Sequence, residues 1–303
     1  MGKLPTMRSD KSEILPYNFK NYFVFIGTER LSDHPNRCMF NHWHDELEII
    51  IPIQGNMIYN INGDLVRLEP GKGVFVNSNQ IHYGFSSNDS DCVFIYALWH
   101  PMLLCATNEI ESEYVNPIVK NSSIPYLELN DQCDWQRSIM ADVQSMHGQL
   151  SERAAPLMLQ SYIYDIWHTI FVNTTRERKR SASASPQLSI LKDMLSYIHD
   201  GYHEKMTLNE IADSGNISIS NCNVIFKKYL KESPIKYLLN YRLMKSSELL
   251  INSAMPITEI AFEVGFSNPS YYIDAFKKAY GYTPNEYRKK HRRADVFDAY
   301  TDN

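Results

Sequence analysis

The sequence predicts an α+β protein with a β-rich first domain and an all-α second domain. Three observations support this division: short β-branched and aromatic runs fill residues 22–99, a helical motif occurs twice near the carboxyl end, and a basic polar stretch separates the two regions. A length of 303 residues suits two domains of roughly 100–200 residues each. The chain is 44% hydrophobic and 21% charged, as folded proteins are.

Five short apolar runs predict the strands of the first domain, which we place at residues 1–130. Gly, Asn and Pro turn signals close each run, including Gln54-Gly55-Asn56 and Asn62-Gly63-Asp64. Many short strands with hairpin turns favour a β-barrel or sandwich. The runs are YFVFI at 22–26, LEIIIPI at 47–53, MIYNI at 57–61, VFV at 74–76 and VFIYALW at 93–99.

A group of histidines and one glutamate is the candidate site of this domain. His42, His44 and Glu48 are separated by two and four residues, so on one strand they share a face, and His82 joins them from a neighbouring strand. Imidazole and carboxylate donors suit a divalent transition metal such as iron, nickel, zinc or manganese. Buried His and Glu side chains also bond each other and backbone groups. The pattern therefore leaves a metal site and a metal-free ligand pocket open.

This spacing, with Gly55 seven residues after Glu48, resembles the cupin signature over residues 20–100. The resemblance implies a small barrel that holds a small molecule in its mouth. In enzymatic cupins, the residues at the positions of His42, His44, Glu48 and His82 are the metal ligands. Asn77 and Asn79 stand near where that family usually has Pro and Gly, which leaves the register of His82 open.

Residues 131–173 are predicted to form a pair of helices. Apolar residues recur at helical spacing in two stripes, which indicates two amphipathic helices within 135–171. Such stripes can pack on the parent domain or form a surface for self-association, and we expect a homodimer. The stripes are Ile139, Val143, Met146 and Leu150, then Leu159, Ile163, Ile166 and Ile170.

The charge is distributed unevenly along the chain. Residues 1–173 carry 11 Lys and Arg against 20 Asp and Glu, whereas residues 186–293 carry 15 against 11. Between them, the basic, Ser- and Ala-rich stretch at 174–186 predicts a linker whose arginines and lysine contact phosphate or solvent. An acidic tail follows at 294–303. The overall charge of −5 therefore conceals a mildly basic second domain at 187–293.

A motif that occurs twice at a constant offset defines this second domain. Glu210-Ile211-Ala212 leads to Phe226-Lys227-Lys228, then Pro234 and Tyr237; Glu259-Ile260-Ala261 leads to Phe276-Lys277-Lys278, then Pro284 and Tyr287. The paired Phe, Pro and Tyr residues are each 50 positions apart. Each copy has the parts of a helix-turn-helix.

Local signals set the helix limits in both copies. Thr207 and Glu210 form a capping box, Gly215 permits the turn, and Ser218 caps the next helix. In the second copy Ser267 or Asn268 is the cap, and Pro269 suits the first helical turn. Residues 234–251 lack helix breakers and predict one long helix between the copies. Two second helices about 34 Å apart would enter successive major grooves of double-stranded DNA.

The duplicated pattern, ending in GFSNPSYYIDAFKKAYGYTPNEYR, resembles the AraC/XylS family of bacterial transcription regulators over residues 188–292. The family commonly joins this module to an amino-terminal cupin-like effector domain. The resemblance implies base-edge contacts from both second helices, at Ser220, Asn223, Val224, Ser270, Ile273 and Asp274.

Several of these positions depart from the family. Arg is common where this chain has Val224 and Asp274, and Lys231 replaces a usual Gly. Val224 suits a thymine methyl, and Asp274 suits a cytosine amine or an internal salt bridge. Phosphate anchoring is expected from Lys227, Lys228, Lys277 and Lys278.

These features predict a sequence-specific transcription regulator whose barrel senses a small molecule. The resemblance to the family makes a sugar one candidate for this molecule. A metal-dependent cupin enzyme is the alternative, but it leaves the doubled motif unexplained. RNA polymerase is a further candidate partner. Five scattered cysteines and the lack of an export signal or membrane span predict reduced thiols in the cytoplasm and no membrane partner.

Overall fold

The computed structural model describes residues 6–7, 13–174 and 186–298. Contacts divide the chain into two compact units, Met1–Leu188 and Ser189–Asn303. Residues 175–185 of the predicted linker and 299–303 of the predicted tail lie outside the described residues. In the described ranges, no helix has both the length and the apolar character that a membrane span requires.

Antiparallel sheets form most of the first unit. Five strands pair in the order β10-β7-β4-β9-β3, three pair in the order β6-β5-β8, and β1 pairs with β2. Residues of both larger sheets, among them Ile50 of β4 and Tyr59 of β5, share one buried cluster. The strands are β1 Thr6–Met7, β2 Glu13–Ile14, β3 Val24–Arg30, β4 Leu47–Gly55, β5 Met57–Ile61, β6 Asp64–Leu68, β7 Lys72–Val76, β8 His82–Phe85, β9 Cys92–Trp99 and β10 Tyr126–Asn130.

Strand β4 is buried on both faces from Leu47 to Pro52, which explains why three isoleucines follow one another at 49–51. Glu48 and Ile50 share one face, and Ile50 belongs to the cluster between the sheets. The alternate residues Leu47, Ile49 and Ile51 belong to a second cluster that also contains the helices after the barrel. One strand thus positions a carboxylate inside the barrel and supports a helical layer outside it.

The predicted pair of helices is present and covers the five-stranded sheet. Short helices α1 (Asn108–Ile110) and α2 (Asn116–Val119) precede the pair, α3 (Asp134–Gly148) and α4 (Ala155–Thr174). Both apolar stripes pack in the cluster that contains Ile49, Phe75 and Trp99, with Leu150 at its margin. The stripes are therefore buried within the unit. Self-association through the outer faces of the helical pair stays a prediction.

Seven helices follow in the described part of the second unit, and they form two helix-turn-helix units around a shared helix. The long helix predicted between the copies is α8, which packs against α6, α7, α9, α10 and α11. The helices are α5 Pro186–Gly201, α6 Leu208–Ser214, α7 Ile219–Leu230, α8 Pro234–Asn252, α9 Ile257–Glu263, α10 Pro269–Tyr280 and α11 Pro284–Asp298. Residues 294–298 of the predicted tail thus continue α11.

The repeated aromatic residues make the same contact in both copies. Phe226 and Tyr237 meet edge to face with ring centroids 5.8 Å apart, and Phe276 and Tyr287 do so at 5.3 Å. The offset of 50 residues is therefore a packing repeat. Edge-to-face aromatic pairs add about 0.5–1.5 kcal/mol beyond the area they bury.

The capping predictions are confirmed, but the role predicted for Gly215 is wrong. Thr207 and Glu210 form the reciprocal capping box, Ser218 caps α7, and of the two candidates in the second copy Asn268 caps α10. Gly215 has φ of −93°, and the left-handed conformation of the turn falls to Asn216, at φ 52°. A Cβ at Gly215 would lie 2.9 Å from Met194 Cγ. This glycine therefore permits close packing on α5.

Candidate effector site and nucleic-acid interface

Three histidines converge inside the first unit. One ring nitrogen from each of His42, His44 and His82 lies within 4.8 Å of the other two, and all three residues are buried. The carboxylate of Glu48 completes the group, with Oε2 at 3.0 Å from Nε2 of His82 and 3.9 Å from Nε2 of His44. The four residues selected from the sequence therefore form one cluster.

The backbone brings them together in a different way from the one predicted. His42, His44 and Glu48 do not share one strand, because β4 begins only at Leu47. His42 instead forms an isolated bridge with His82 at the start of β8, through His42 N to His82 O at 3.2 Å and the reciprocal bond at 3.0 Å. Asn79 has φ of 63° and donates its backbone N–H to His44 O. Asn79 thus adopts a left-handed conformation, which glycine adopts most easily. This agrees with the Gly that cupins usually have near this position.

Backbone contacts orient each imidazole in the same way. Nδ1 of His42, His44 and His82 contacts the carbonyl oxygens of Phe40, Glu46 and Gln80 at 2.9, 3.1 and 2.8 Å. A carbonyl only accepts, so each Nδ1 carries a proton, and in a neutral ring the lone pair is then on Nε2. Metal-binding histidines commonly have this arrangement, with one nitrogen bonded to a carbonyl and the other free for the ion.

Electrostatics keep the cluster ready for a cation. Burial, followed by repulsion from His82, lowers the pKa of His42 to about 4, and the same causes lower the pKa of His44 well below its ordinary value. Burial alone would raise the pKa of Glu48, but the three histidines, His82 foremost, lower it to about 2. The site therefore combines two neutral imidazoles with an ionised carboxylate.

One pair of candidate ligand atoms also has a spacing that suits a metal ion. Donors about 2.0–2.2 Å from one ion, at right angles to each other, lie about 3 Å apart. The distance between His82 Nε2 and Glu48 Oε2 matches this value. A divalent transition metal therefore fits the residues present.

Four further residues lie around the site and were not predicted: Glu13, Tyr17, Glu46 and Tyr59. Glu13, from β2, has its Oε2 3.4 Å from Nε2 of His42, and burial followed by the charge of Glu48 raises its pKa to about 8. Tyr59 donates its hydroxyl to Glu48 at 3.2 Å, and Tyr17 donates to the buried Glu46. Glu13 and Tyr17 lie in a segment without periodicity, so only tertiary contacts reveal them.

In the second unit, α7 presents a polar and apolar outer face. Cys222, Ile225 and Phe226 are buried on its inner face. Ser220 is exposed and Val224 is 57% exposed, whereas Asn223 is half-buried and donates its side-chain amide to Ile219 O at 3.0 Å. One of its two amide N–H groups is therefore occupied within its own helix.

Helix α10 presents a comparable face with a carboxylate. Ser270 and Asp274 are exposed, Ile273 is half-buried, and Tyr271, which the sequence did not single out, is 55% exposed. Within the part of the chain that the structure describes, Asp274 forms no salt bridge. Of its two predicted roles, the internal salt bridge is therefore absent from this part of the chain.

The predicted phosphate contacts lie in the last turn of each of these helices. Lys227, Lys228, Lys277 and Lys278 are all exposed. Cations at this end of a helix also interact favourably with its dipole. Each second helix thus packs its buried face against the rest of its helix-turn-helix and places its polar and cationic side chains toward solvent.

Comparisons with known proteins match both units of the chain. Residues 25–166 match the AraC-like ligand binding domain, and residues 211–290 match a helix-turn-helix domain. The chain is 30% identical over 250 residues to YdeC of Bacillus subtilis, named as an uncharacterized HTH-type transcriptional regulator, covering 82% of this chain and 85% of that protein. It is 25% identical over 261 residues to the melibiose operon regulatory protein of Escherichia coli, covering 84% and 85%.

Among solved structures, ToxT from Vibrio cholerae with a bound unsaturated fatty acid aligns at 13% identity and a TM-score of 0.47, covering 89% of this chain and 97% of that one.

A ligand-binding β-domain followed by two helix-turn-helix units defines a transcription regulator that carries its own sensor. The chain belongs to the AraC family of transcription regulators, as the sequence predicted.

Proposed function

We propose that the protein is a one-component regulator in which an effector bound at the histidine cluster changes how the two helix-turn-helix units engage double-stranded DNA. The observation that carries this proposal is the presence, in one chain, of a preorganised buried ligand cluster and two exposed second helices. An effector with different affinities for two states shifts their populations. DNA affinity then reports effector concentration.

The DNA contacts that we propose come from both second helices. Base edges are read by Ser220, Asn223, Val224, Ser270, Ile273 and Asp274, and phosphates are held by Lys227, Lys228, Lys277 and Lys278. The exposure of Ser220, Val224, Ser270, Asp274 and the four lysines supports these roles. Asn223 contributes through its Oδ1 atom and its second amide N–H, because one N–H is bonded within α7.

For the effector, we propose a divalent transition metal, alone or with a small molecule that coordinates it. His42, His44, His82 and Glu48 would hold the ion, which supplies a fixed positive charge at the centre of the barrel. The common tautomer of the three histidines supports this choice. A sugar effector stays an expectation from the family.

The remaining partners follow from surfaces and relatives. We propose a homodimer, since α4 exposes Leu157 and Tyr164 on the face opposite its buried stripe. We propose that the regulator contacts RNA polymerase when it is bound near a promoter. We also propose that it acts in the cytoplasm, because bacterial DNA lies there.

The same histidine cluster occurs in cupin enzymes, but the named relatives are regulators, so we propose that this chain catalyses no reaction.

A mobility-shift assay with the full chain and the DNA upstream of its own gene tests the function. We expect specific retardation that weakens steeply with salt and differs between chelator-treated and Ni²⁺-loaded protein. Val224→Glu should abolish specific binding, whereas Leu65→Glu, a matched exposed position on β6, should not. Folded protein that retards no fragment under either condition would contradict the proposal.

A further inference from the structure

We propose that the operator presents a thymine to Val224 and a base with an exocyclic amine, cytosine or adenine, to Asp274. The inference rests on the proposed function, because it takes α7 and α10 as the helices that enter the major groove. It goes further by stating which chemical groups of the DNA these helices recognise.

The two side chains occupy equivalent positions. Each is the sixth residue of its helix, since α7 begins at Ile219 and α10 at Pro269, and the two are 50 residues apart. The opposite faces of both helices are buried, through Phe226 in α7 and Phe276 in α10. Val224 and Asp274 therefore point outward in the second turn, near the helix amino end that reads base edges in helix-turn-helix proteins.

Val224 offers two methyl groups and no polar atom, and it is 57% exposed. The major groove presents one apolar group, the 5-methyl of thymine. At the other bases, a valine would cover donors or acceptors without bonding them, and unpaired polar groups are costly to desolvate. The side chain thus favours thymine by contact and disfavours the other bases by desolvation.

Asp274 accepts hydrogen bonds and donates none when it is ionised. In the described ranges it has no salt-bridge partner, so its carboxylate is free for a donor in the groove. The major-groove donors are the N4 amine of cytosine and the N6 amine of adenine. The acceptors O6 and N7 of guanine and O4 of thymine would face a negative charge, and this repulsion is itself a source of specificity.

The composition of the helices excludes the commonest alternative. Neither Ile219–Leu230 nor Pro269–Tyr280 contains an arginine, and their lysines occur only in the last turn. A bidentate guanine contact by arginine is therefore unavailable to either helix. The sites read by these two helices should contain fewer guanine contacts than those of relatives with arginine at these positions.

Selection of bound sites from a random duplex library with the full-length chain tests the inference. Each thymine of the selected site is then replaced by uracil, which removes only the 5-methyl. At one position, we expect this replacement to lower the affinity of the wild type about fourfold, which is the value of burying one methyl group. The same replacement should not change the affinity of Val224→Ala. Leu65→Ala, on β6, should behave as the wild type does.

The second contact is tested by inverting single base pairs of the same site. At one position, inversion should lower the DNA affinity of the wild type about 5- to 100-fold. The same inversion should lower the affinity of Asp274→Ala less than about threefold. Asp193→Ala on α5, which is also exposed, should keep the full discrimination.

Two outcomes would overturn the inference while leaving the regulator intact. One is a specific site in which every uracil is tolerated within twofold; the other is unchanged discrimination in Asp274→Ala. Failure of the folded wild type to select any site would instead overturn the proposed function together with this inference.

Discussion

Lys231 and Gly281 occupy the same left-handed backbone position in the two copies, at φ of 60° and 76°. Each ends a second helix, and the two are 50 residues apart. The glycine adopts this conformation without steric cost, whereas a lysine brings its Cβ close to a carbonyl oxygen. The turn at Lys231 therefore keeps the geometry of the turn at Gly281 and accepts strain.

Lys231→Gly should stabilise the second unit by about 1 kcal/mol, because it removes that strain. Denaturation of the full chain by urea, followed through the helical signal, measures the change. Lys278→Gly provides the contrast, since it places glycine inside α10 and should destabilise by up to about 1 kcal/mol. A Lys231→Gly chain less stable than the wild type would contradict the strain.

Gly215→Ala should destabilise the protein by about 1–3 kcal/mol through overpacking against α5. The new methyl would lie 2.9 Å from Met194 Cγ and 3.0 Å from Ile190 Cγ2. Gly148→Ala is the matched control, because a Cβ there meets nothing within 4 Å. Calorimetry of both variants should show a lowered transition only for Gly215→Ala; equal effects would mean that the packing is loose.

The stability of the metal-free chain should decline as the pH rises above 6.5. The pKa of His42 falls from 6.5 to about 4, so its contribution is complete above pH 6.5 and is lost as the pH falls toward 4. The pKa of Glu13 rises from 4.5 to about 8, so its contribution is present below pH 4.5 and is lost as the pH rises toward 8. Between pH 4.5 and 6.5 these two effects oppose each other. Above pH 6.5 Glu13 supplies most of the loss, since burial raises the pKa of Glu232 only to about 7.

Denaturation in chelator between pH 4 and 8 checks this expectation. Glu13→Gln should remove most of the decline above pH 6.5, a change of about 2 kcal/mol by pH 8. Glu128→Gln, an exposed residue of β10, should leave it in place. An identical alkaline limb in the wild type and Glu13→Gln would show that Glu13 does not titrate there.

Binding of Ni²⁺ or Zn²⁺ should stabilise the folded chain, by about 2.7 kcal/mol when free metal is 100 times the dissociation constant. His44→Ala removes one of three imidazoles and should weaken binding at least tenfold, as measured by titration calorimetry. His168→Ala, exposed on α4, serves as the control. Equal metal affinity in the two variants would place the ion elsewhere.

Alanine at both Lys277 and Lys278 should weaken DNA binding uniformly across sequences. Each phosphate contact that is lost should reduce the slope of log K against log salt by about 0.9. Lys120→Ala in the first unit, also exposed, should leave the slope unchanged. A changed base preference with an unchanged slope would mean that these lysines read bases.

Local signals made the second unit readable from the sequence. Thr207 with Glu210, and Asn268 before Pro269, specify helix starts through contacts within three residues, which a sequence pattern contains. Gly215 shows the limit of such signals. Glycine favours both left-handed turns and close packing, and only the tertiary contact with Met194 distinguishes the two.

The first unit depended more on contacts between distant residues. Strand β6 and strand β10 were not predicted, since D-L-V-R-L and Y-L-E-L-N are short and mix charged or amide residues with apolar ones. His42 and His44 were correctly grouped with His82 and Glu48, but the chain turns at Asp45 and Glu46 before β4 begins. Glu13 reaches the cluster from 29 residues before His42, a separation that no periodicity encodes.

Helix α8 has a consequence for the spacing of half-sites on DNA. Helix α8 packs against helices of both helix-turn-helix units, and it therefore fixes the distance between the second helices α7 and α10. An extra five base pairs would turn one half-site to the far side of the duplex. The DNA would then have to twist or bend to restore both contacts, so tolerance of altered spacing measures the stiffness of this one helix.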